Sequence, residues 1–382
     1  MSRRVRVRID ATPLAAGAMT GVGHVLLETV RALGDPRFAE RIDLALFVPR
    51  SERAAVERVV PAGTRVIGVP LPRRVLGVLT RTPIPLDLLV GRGVYFFPNF
   101  RNWALTARSA GITFVHDACF AVAPELVPEP RRSLLAARMP GWLARSHLVA
   151  TGTPSAAAEI AGSLGIPEDR LRVLPTTVDT RVFRPRREAE VHAVTQRLGL
   201  SRYLLFVGSI EPRKNVAELV RAYAAAERPA GHTLLLVGGT SWEAEDVHRA
   251  VRDAVAAGAD VRFPDSFVED EEMPALMTGA DALALVSHHE GFGLPALEAV
   301  ATGTPVVVSD IPGIRDALRG NEHAAVFVEP GDRRGLVSAL EQAVNDPRRV
   351  RAEAIRPWTD AAEALVGAAE DLSAGRPTAR RR

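Results

Sequence analysis

The chain has 382 residues, a net charge of +3 from 48 Lys plus Arg against 45 Asp plus Glu, and 47% apolar residues. That length gives two domains as the expectation, and near-balanced charge with arginines spread along the chain argues against nucleic acid as a partner. Cys119 is the only cysteine, which excludes an internal disulfide and a cysteine-cage metal site; with no run of eighteen apolar residues and no leader-like segment, the expected location is the cytosol.

In chain order, a first strand reads as Val5–Ile9 and ends at Asp10. The segment Gly17–His24 then opens a helix through about Leu33, with Thr20 as its N-cap. A strand, a glycine loop and a helix start together suit a phosphate. The glycine spacing is not the dinucleotide fingerprint, and ordinary loop flexibility accounts for these glycines at least as well. Further strands are expected at Leu44–Val48, Arg65–Val69, Val94–Pro98, Ile112–Val115, His147–Ala150 and Leu171–Leu174. Short apolar strands alternating with helices imply a mostly parallel sheet covered on both faces. The stretch Leu71–Leu89 is apolar, basic and proline-containing, and it suits an acceptor-side loop, a membrane-surface contact or a helix pair alike. His116 and Asp117 follow a strand at the carboxyl edge, where such sheets bind ligands. There His116 either bonds a loop or faces a ligand, and Asp117 either fixes the imidazole or caps the next segment.

Residues 186–200 are polar and charged and read as a linker. A second α/β pattern follows. Its strands are expected at Tyr203–Val207, Leu234–Val237, Val261–Phe263, Ala282–Val286, Val306–Val308 and Ala325–Val328. The expected organisation is a first Rossmann-like domain over 1–185, the linker, a second domain over 201–355, a helix over 356–376 bracing the first domain, and a flexible tail over 377–382.

Two stretches of the second domain carry the chemistry. Gly208-Ser209-Ile210-Glu211-Pro212-Arg213-Lys214-Asn215 is a strand exit that sets two cations side by side, and Lys214 is the only lysine in an otherwise arginine-using chain. A compact ammonium suits a phosphate where a guanidinium does not fit. The second stretch runs from Ser287 to Glu298, where a glycine-rich turn joins a strand to a helix between Glu290 and Glu298. Unpaired amides at a helix start suit an anion, and ionised carboxylates accept bonds from sugar hydroxyls. Glu298 reads equally as an ordinary surface residue of its helix. Cations beside glutamates together point to a diphosphate flanked by sugars, with two such domains facing a deep cleft.

These stretches resemble the retaining nucleotide-sugar glycosyltransferases of the GT-B fold, in the large group four family. The resemblance rests on Glu290-Gly-Phe-Gly-Leu-Pro-Ala-Leu-Glu298, on Glu211-Pro-Arg-Lys-Asn215, on Val115-His116-Asp117, on Thr20-Gly21-Val22-Gly23 and on Asp281, in that family's order and over most of the chain. The start of the chain and the His116-Asp117 pair are closest to mannosyltransferase-like members that build bacterial polysaccharides. The resemblance implies that Arg213 and Lys214 bind the donor diphosphate and that Gly21 and Gly23 bring helix amides toward the phosphates. It implies that Glu298 holds the ribose, and that Glu290, with the backbone of Phe292, Gly293 and Leu294, contacts the donor sugar. His116 would then contact the transferred sugar, and Phe267-Val268 would line the base pocket. His24 and Thr176-Thr177 depart from the family pattern, the latter standing in place of Asn-Gly.

The implied reaction moves a hexose, mannose being the first candidate, from a GDP- or UDP-sugar to a hydroxyl of a glycan, a lipid-linked sugar or a secondary metabolite. No metal or other cofactor is required. A nucleotide-sugar epimerase or hydrolase and a noncatalytic nucleotide-sugar-binding protein are the alternatives. Monomer and homodimer both fit, as does a light peripheral contact with the inner face of a membrane.

Overall fold

The computed structural model describes residues 4–15, 19–239 and 245–375. Gly17 and the tail 377–382, both singled out above, lie outside the described residues. The chain divides into two compact units. One comprises Met1–Val122, Glu129–Thr176 and Pro357–Arg382; the other comprises Ala123–Pro128 and Thr177–Arg356.

The first unit contains β1 (Val5–Asp10), α1 (Gly21–Leu33), β2 (Ile42–Pro49), α2 (Arg53–Val59), β3 (Val66–Val69), α3 (Arg73–Leu79), α4 (Asp87–Val90), β4 (Val94–Phe97), β5 (Ala110–Phe114), α5 (Cys119–Val122), α6 (Arg131–Arg145), β6 (Leu148–Thr151), α7 (Pro154–Leu164) and β7 (Leu171–Val173). Its seven strands are ordered β3-β2-β1-β4-β5-β6-β7 and every pair is parallel. Ile9 sits in register between Leu46 and Phe96. Strands buried on both faces read as unbroken apolar runs, which is why VYFF of β4 and LVAT of β6 were visible in the sequence.

The second unit contains α8 (Glu188–Arg197), β8 (Arg202–Val207), α9 (Val216–Ala225), β9 (His232–Val237), α10 (Glu245–Ala256), β10 (Asp260–Arg262), α11 (Met273–Gly279), β11 (Ala282–Leu285), α12 (Leu294–Ala301), β12 (Val306–Ser309), α13 (Pro312–Ala317), β13 (Ala325–Val328) and α14 (Arg333–Asn345). Its six parallel strands are ordered β10-β9-β8-β11-β12-β13. In both units the winding reverses beside the first strand, at β1/β4 and at β8/β11. At such a reversal two neighbouring exit loops diverge and leave room at the carboxyl edge. Both units are therefore doubly wound α/β structures.

Two segments differ from the sequence reading, and in a third the structure selects one of the alternatives left open above. Residues 186–200 are not a free linker. They hold α8, which packs on α11, and Val194 and Leu200 are buried in the second core. The helix was hard to see because its buried face is small, Val194 and Thr195 within α8 itself. The stretch 71–89 is the helix pair α3 and α4. The division between units falls at Thr176/Thr177 rather than near residue 185. There the Thr176 N–H donates to Gly152 O at 3.1 Å, and Thr177 Oγ1 donates to Arg356 O at 2.8 Å. Neither threonine needs left-handed backbone; among the described non-glycine residues only Asn215 has it, with φ 54°.

The last helix, α15 (Trp358–Ser373), returns to the first unit. Ala362, Leu365, Val366 and Ala369 join Leu26, Leu27 and Val30 of α1 in one core. Arg41 ties the exposed side of α15 down through Glu363 and Glu370, both at 2.8 Å.

Candidate functional site

In the second unit the exits of β8 and β11 lie side by side at the winding reversal. The β8 exit is pressed against that of β9, since a Cβ at Gly238 would stand 1.9 Å from Gly208 O. The chain then makes a short 3-10 turn, Pro212–Lys214, and enters α9 through left-handed Asn215. The β11 exit meets this turn twice, once backbone to backbone and once through the Arg213 side chain. The His288 N–H donates to Arg213 O at 2.9 Å, and Arg213 Nη1 donates to His289 O at 3.0 Å.

Glu290 closes the junction. Its Oε2 accepts from Arg213 Nη1 at 2.8 Å, and its Oε1 accepts from Lys214 Nζ at 2.5 Å and from Ser287 Oγ at 2.7 Å. Glu290 and Lys214 are buried, 8% and 7% exposed. Burial pushes the Glu290 carboxyl up, but the charges of Lys214 and Arg213 and the bonds from Lys214 and Ser287 outweigh it and hold the pKa at about 2. Arg213 also donates through Nε and Nη2 to Glu211 Oε1, at 3.2 and 2.7 Å. Arg213, Lys214 and Glu290 are thus brought together, with the cations holding the carboxylate. Glu211 and Ser287, which sequence reasoning did not assign, belong to the same cluster.

After Glu290 the chain turns into α12. Gly293 is the N-cap with φ 91°, a conformation that favours glycine. The N–H groups of Phe292, Gly293 and Leu294 have no hydrogen-bond partner among the described residues. Three free donors at the start of an eight-residue helix can cradle an anion. The turn is backed by Gly313 at the start of α13, where a Cβ would stand 2.0 Å from Glu290 O. Gly313 is another missed residue, and its signal, a glycine directly after Pro312, was in the sequence.

Glu298 lies four residues past Leu294, one helical turn on along the same face of α12. Its half-buried carboxylate has no hydrogen-bond partner among the described residues. Burial, with the negative charge of Asp270 added, pushes its pKa up to about 8. Such a group gains from any ligand hydroxyl that bonds to it.

The remaining predicted residues separate. Val268 is buried in the second core, whereas Phe267 is 71% exposed. Asp281 stands at the other end of β11 from Glu290 and bonds Arg202 Nε at 2.9 Å and His232 Nε2 at 3.2 Å, which makes it a structural residue. In the first unit Thr20 Oγ1 caps α1 by accepting from Gly23 N–H at 3.4 Å. The amide of Gly23 is therefore engaged, and a Cβ there would meet Met19 Cγ at 2.8 Å, so this glycine serves packing. Gly21 has open space where a Cβ would stand and a free N–H among the described residues.

His116 Nε2 donates to Pro98 O at 3.0 Å, its ring lies against Phe114, and burial pushes its pKa down. The imidazole is neutral, which leaves Nδ1 as an acceptor. Asp117 does not hold it: its Oδ1 accepts from Cys119 N–H at 3.0 Å and caps α5. A cavity of 610 Å³ lies beside the Glu290 cluster, lined by Glu211, Asn215, Glu218, His288, Glu329 and Arg333 among others. No group of three His, Cys, Asp or Glu side chains among the described residues is poised to hold a metal.

Comparison with known proteins matches residues 189–357 to the glycosyl transferases group 1 family model. The chain is 28% identical over 362 residues to the O-antigen chain mannosyltransferase B of Escherichia coli, spanning 88% of this chain and 90% of that protein. It is 30% identical over 314 residues to a D-inositol 3-phosphate glycosyltransferase of Stackebrandtia nassauensis, spanning 75% and 69%. Among solved structures, Anabaena HepE in complex with UDP and glucose superposes with a TM-score of 0.66 at 16% identity, covering 98% of this chain and 96% of that one.

Proposed function

The chain belongs to the glycosyl transferases group 1 family with the GT-B fold, and from that premise we propose that this glycosyltransferase is a retaining, nucleotide-sugar-dependent hexosyltransferase. The donor is a hexose, mannose first among candidates, on GDP or UDP. The acceptor is a hydroxyl of a glycan or lipid-linked sugar. The observation that carries this reading is the convergence, at one winding reversal, of Lys214, Arg213 and Glu290 with the amides of Phe292, Gly293 and Leu294, which have no partner among the described residues.

Cleaving the bond between the anomeric carbon and phosphate leaves negative charge on the departing diphosphate. Donors fixed beforehand stabilise that charge without reorganising during the reaction. Lys214 uses one of its three ammonium hydrogens on Glu290 and keeps the others for a phosphate oxygen. Arg213 already serves Glu211, His289 O and Glu290, so it positions the carboxylate more than it meets the ligand. Glu290 stays ionised and turns its remaining lone pairs to the hydroxyls of the transferred sugar. Its two cation contacts make it a poor nucleophile, which favours a front-face reaction in which the leaving phosphate oxygen takes the acceptor's proton. Glu298, without a hydrogen-bond partner among the described residues, accepts from the ribose hydroxyls.

The test is thermal stabilisation of the purified chain by GDP, UDP, ADP and dTDP and by their hexose conjugates. A ligand that binds only the folded state raises the melting temperature by mass action. A conjugate that stabilises beyond its free nucleotide names the donor. Folded protein that responds to none of them would contradict the reading.

A further inference from the structure

The 610 Å³ cavity of the second unit has no task in the donor chemistry above. Its volume is in the range of about 300–1,000 Å³ usual for small-molecule pockets. Every described residue that lines it belongs to the second unit. It draws on α9, α10 and α14, and both α10 and α14 pack on α9. The amides of Phe292, Gly293 and Leu294 instead open α12, which packs with α11 and α13, and neither they nor Lys214, Glu290 and Glu298 line the cavity. The two places share one wall. Glu211 lines the cavity and accepts from Arg213, which in turn donates to Glu290.

Val216, Val247, Val286, Val328 and Leu336 give the cavity an apolar floor. Around that floor, several polar groups have no hydrogen-bond partner among the described residues. Ser309 ends β12, is 3% exposed, and has an unpartnered hydroxyl. Asn215 enters α9 with a side chain that neither caps the helix nor bonds elsewhere among those residues. The N–H groups of Val216, Ala217 and Glu218, in the first turn of this ten-residue helix, are unpartnered too. Glu218 Oε1 is buried and accepts no hydrogen bond, although Arg333 Nε stands 3.4 Å away as an ion pair. Polar groups left in this state cost stability until a ligand bonds them.

The charges select the ligand. Five carboxylates line the cavity, those of Glu211, Glu218, Asp246, Glu329 and Asp332, against the guanidiniums of Arg221 and Arg333, so an anion is repelled. A cation gains little, because Glu211 is held by Arg213, Asp246 by Arg221 at 2.7 Å, and Asp332 by the Gly335 N–H at 2.9 Å. What remains is a mixed set of donors and acceptors over an apolar floor. A sugar matches both parts: its hydroxyls donate and accept, and its C–H face packs on the valines. We propose that this cavity holds a neutral, non-reacting sugar residue of the acceptor glycan, with Ser309, Asn215 and Glu218 bonding its hydroxyls. Calling that glycan the acceptor rests on the function proposed above and on the wall shared with the Glu290 cluster; the binding of a sugar here does not.

The experiment titrates the full chain with the methyl α-glycosides of mannose, glucose and galactose, with α-linked mannobiose and with inorganic phosphate, following the sugars by saturation-transfer NMR. At least one sugar is expected to bind without any nucleotide present. Ser309→Ala and Glu218→Ala should each weaken it about three- to tenfold, the usual loss for one hydrogen bond, and the double variant by about tenfold or more. All three should keep the wild-type melting temperature and the wild-type response to nucleotide sugar, which separates a lost sugar contact from misfolding and from damage to the donor site. Folded wild-type protein that binds no sugar of this panel overturns the proposal, as do variants that bind it like wild type. Phosphate that binds and displaces the sugar would make the cavity an anion site and overturns it too. A chain that answers to nucleotide sugars but to no free sugar defeats this proposal alone. One that binds a sugar through Ser309 and Glu218 but answers to no nucleotide sugar upholds the sugar site and defeats the proposed function.

Discussion

Glu290 and Glu298 are eight residues apart on one turn and one helix, and their surroundings drive them in opposite directions. Both lose water. Glu290 is repaid by an ammonium, a guanidinium and a serine hydroxyl, and is held at about 2. Glu298 gains no donor among the described residues, feels the negative charge of Asp270 on top of its burial, and is pushed up to about 8. Burial by itself therefore says little about a carboxylate's state; the donors built around it decide. The first glutamate is part of the frame before any ligand arrives, and the second is completed only by one.

The largest effect on this contrast is expected from Lys214→Ala. Under the proposed function it should lower kcat/KM for the donor about 100- to 1000-fold, the usual result of removing one preorganised donor from a developing negative charge. Lys214→Arg should not restore the rate, because the ammonium is buried beside Gly208, where a Cβ would stand 3.7 Å from Lys214 Cε. Full activity in either variant would remove Lys214 from the mechanism.

Glu290→Gln comes next. It leaves two cations short of a buried partner and should destabilise the chain by about 3 kcal/mol at neutral pH, read by denaturant unfolding. The sign with pH follows from a folded pKa of about 2 against an ordinary 4.5. The glutamate's contribution is fully present above 4.5 and is lost as the pH falls toward 2, so the gap between wild type and variant should close on acidification. A gap that stays constant would mean that the carboxylate's charge is not what the cluster needs.

Gly313→Ala tests whether the frame depends on close packing. Its Cβ would collide with Glu290 O, and overpacking of this kind costs about 1–3 kcal/mol. Gly21→Ala, which meets open space, is the control and should stay within about 0.5 kcal/mol of wild type.

Glu298→Gln should have a modest effect of the opposite sign. A carboxyl raised to about 8 from 4.5 makes the folded state bind more protons across that interval, so wild-type stability falls as the pH rises through it. The amide removes that fall and should melt a few degrees higher than wild type at alkaline pH, at roughly 2–4 °C per kcal/mol for a domain of this size. It should also shrink the stabilisation by nucleotide sugar if the carboxylate holds ribose. Unequal fates for these two readouts would show which half of the reading fails.

The strands were legible because both sheets are parallel and buried on both faces, so that runs such as VYFF and ALAL carry no polar interruption. The Lys214 and Glu290 stretches were legible because glycines and charged residues break such runs at the carboxyl edge. What stayed hidden depends on partners far away in sequence. No local pattern reveals that Pro98 O takes His116 Nε2, that Gly313 backs Glu290, or that the expected phosphate-binding cations already hold a carboxylate. Helix α8 was missed for a related reason: one short buried face among many charges looks like solvated chain until α11 is laid against it.

The return of α15 to the first unit has a consequence for the order in which the protein is made. A ribosome delivers residues 177–356, and with them all six strands of the second sheet, before it delivers the helix that completes the core around α1. Until then Leu26, Leu27 and Val30 wait without Ala362, Leu365 and Val366. The half begun first is finished last. During synthesis its uncovered apolar side is a natural client for chaperones, while the later half, being continuous apart from one short segment, is free to close ahead of it.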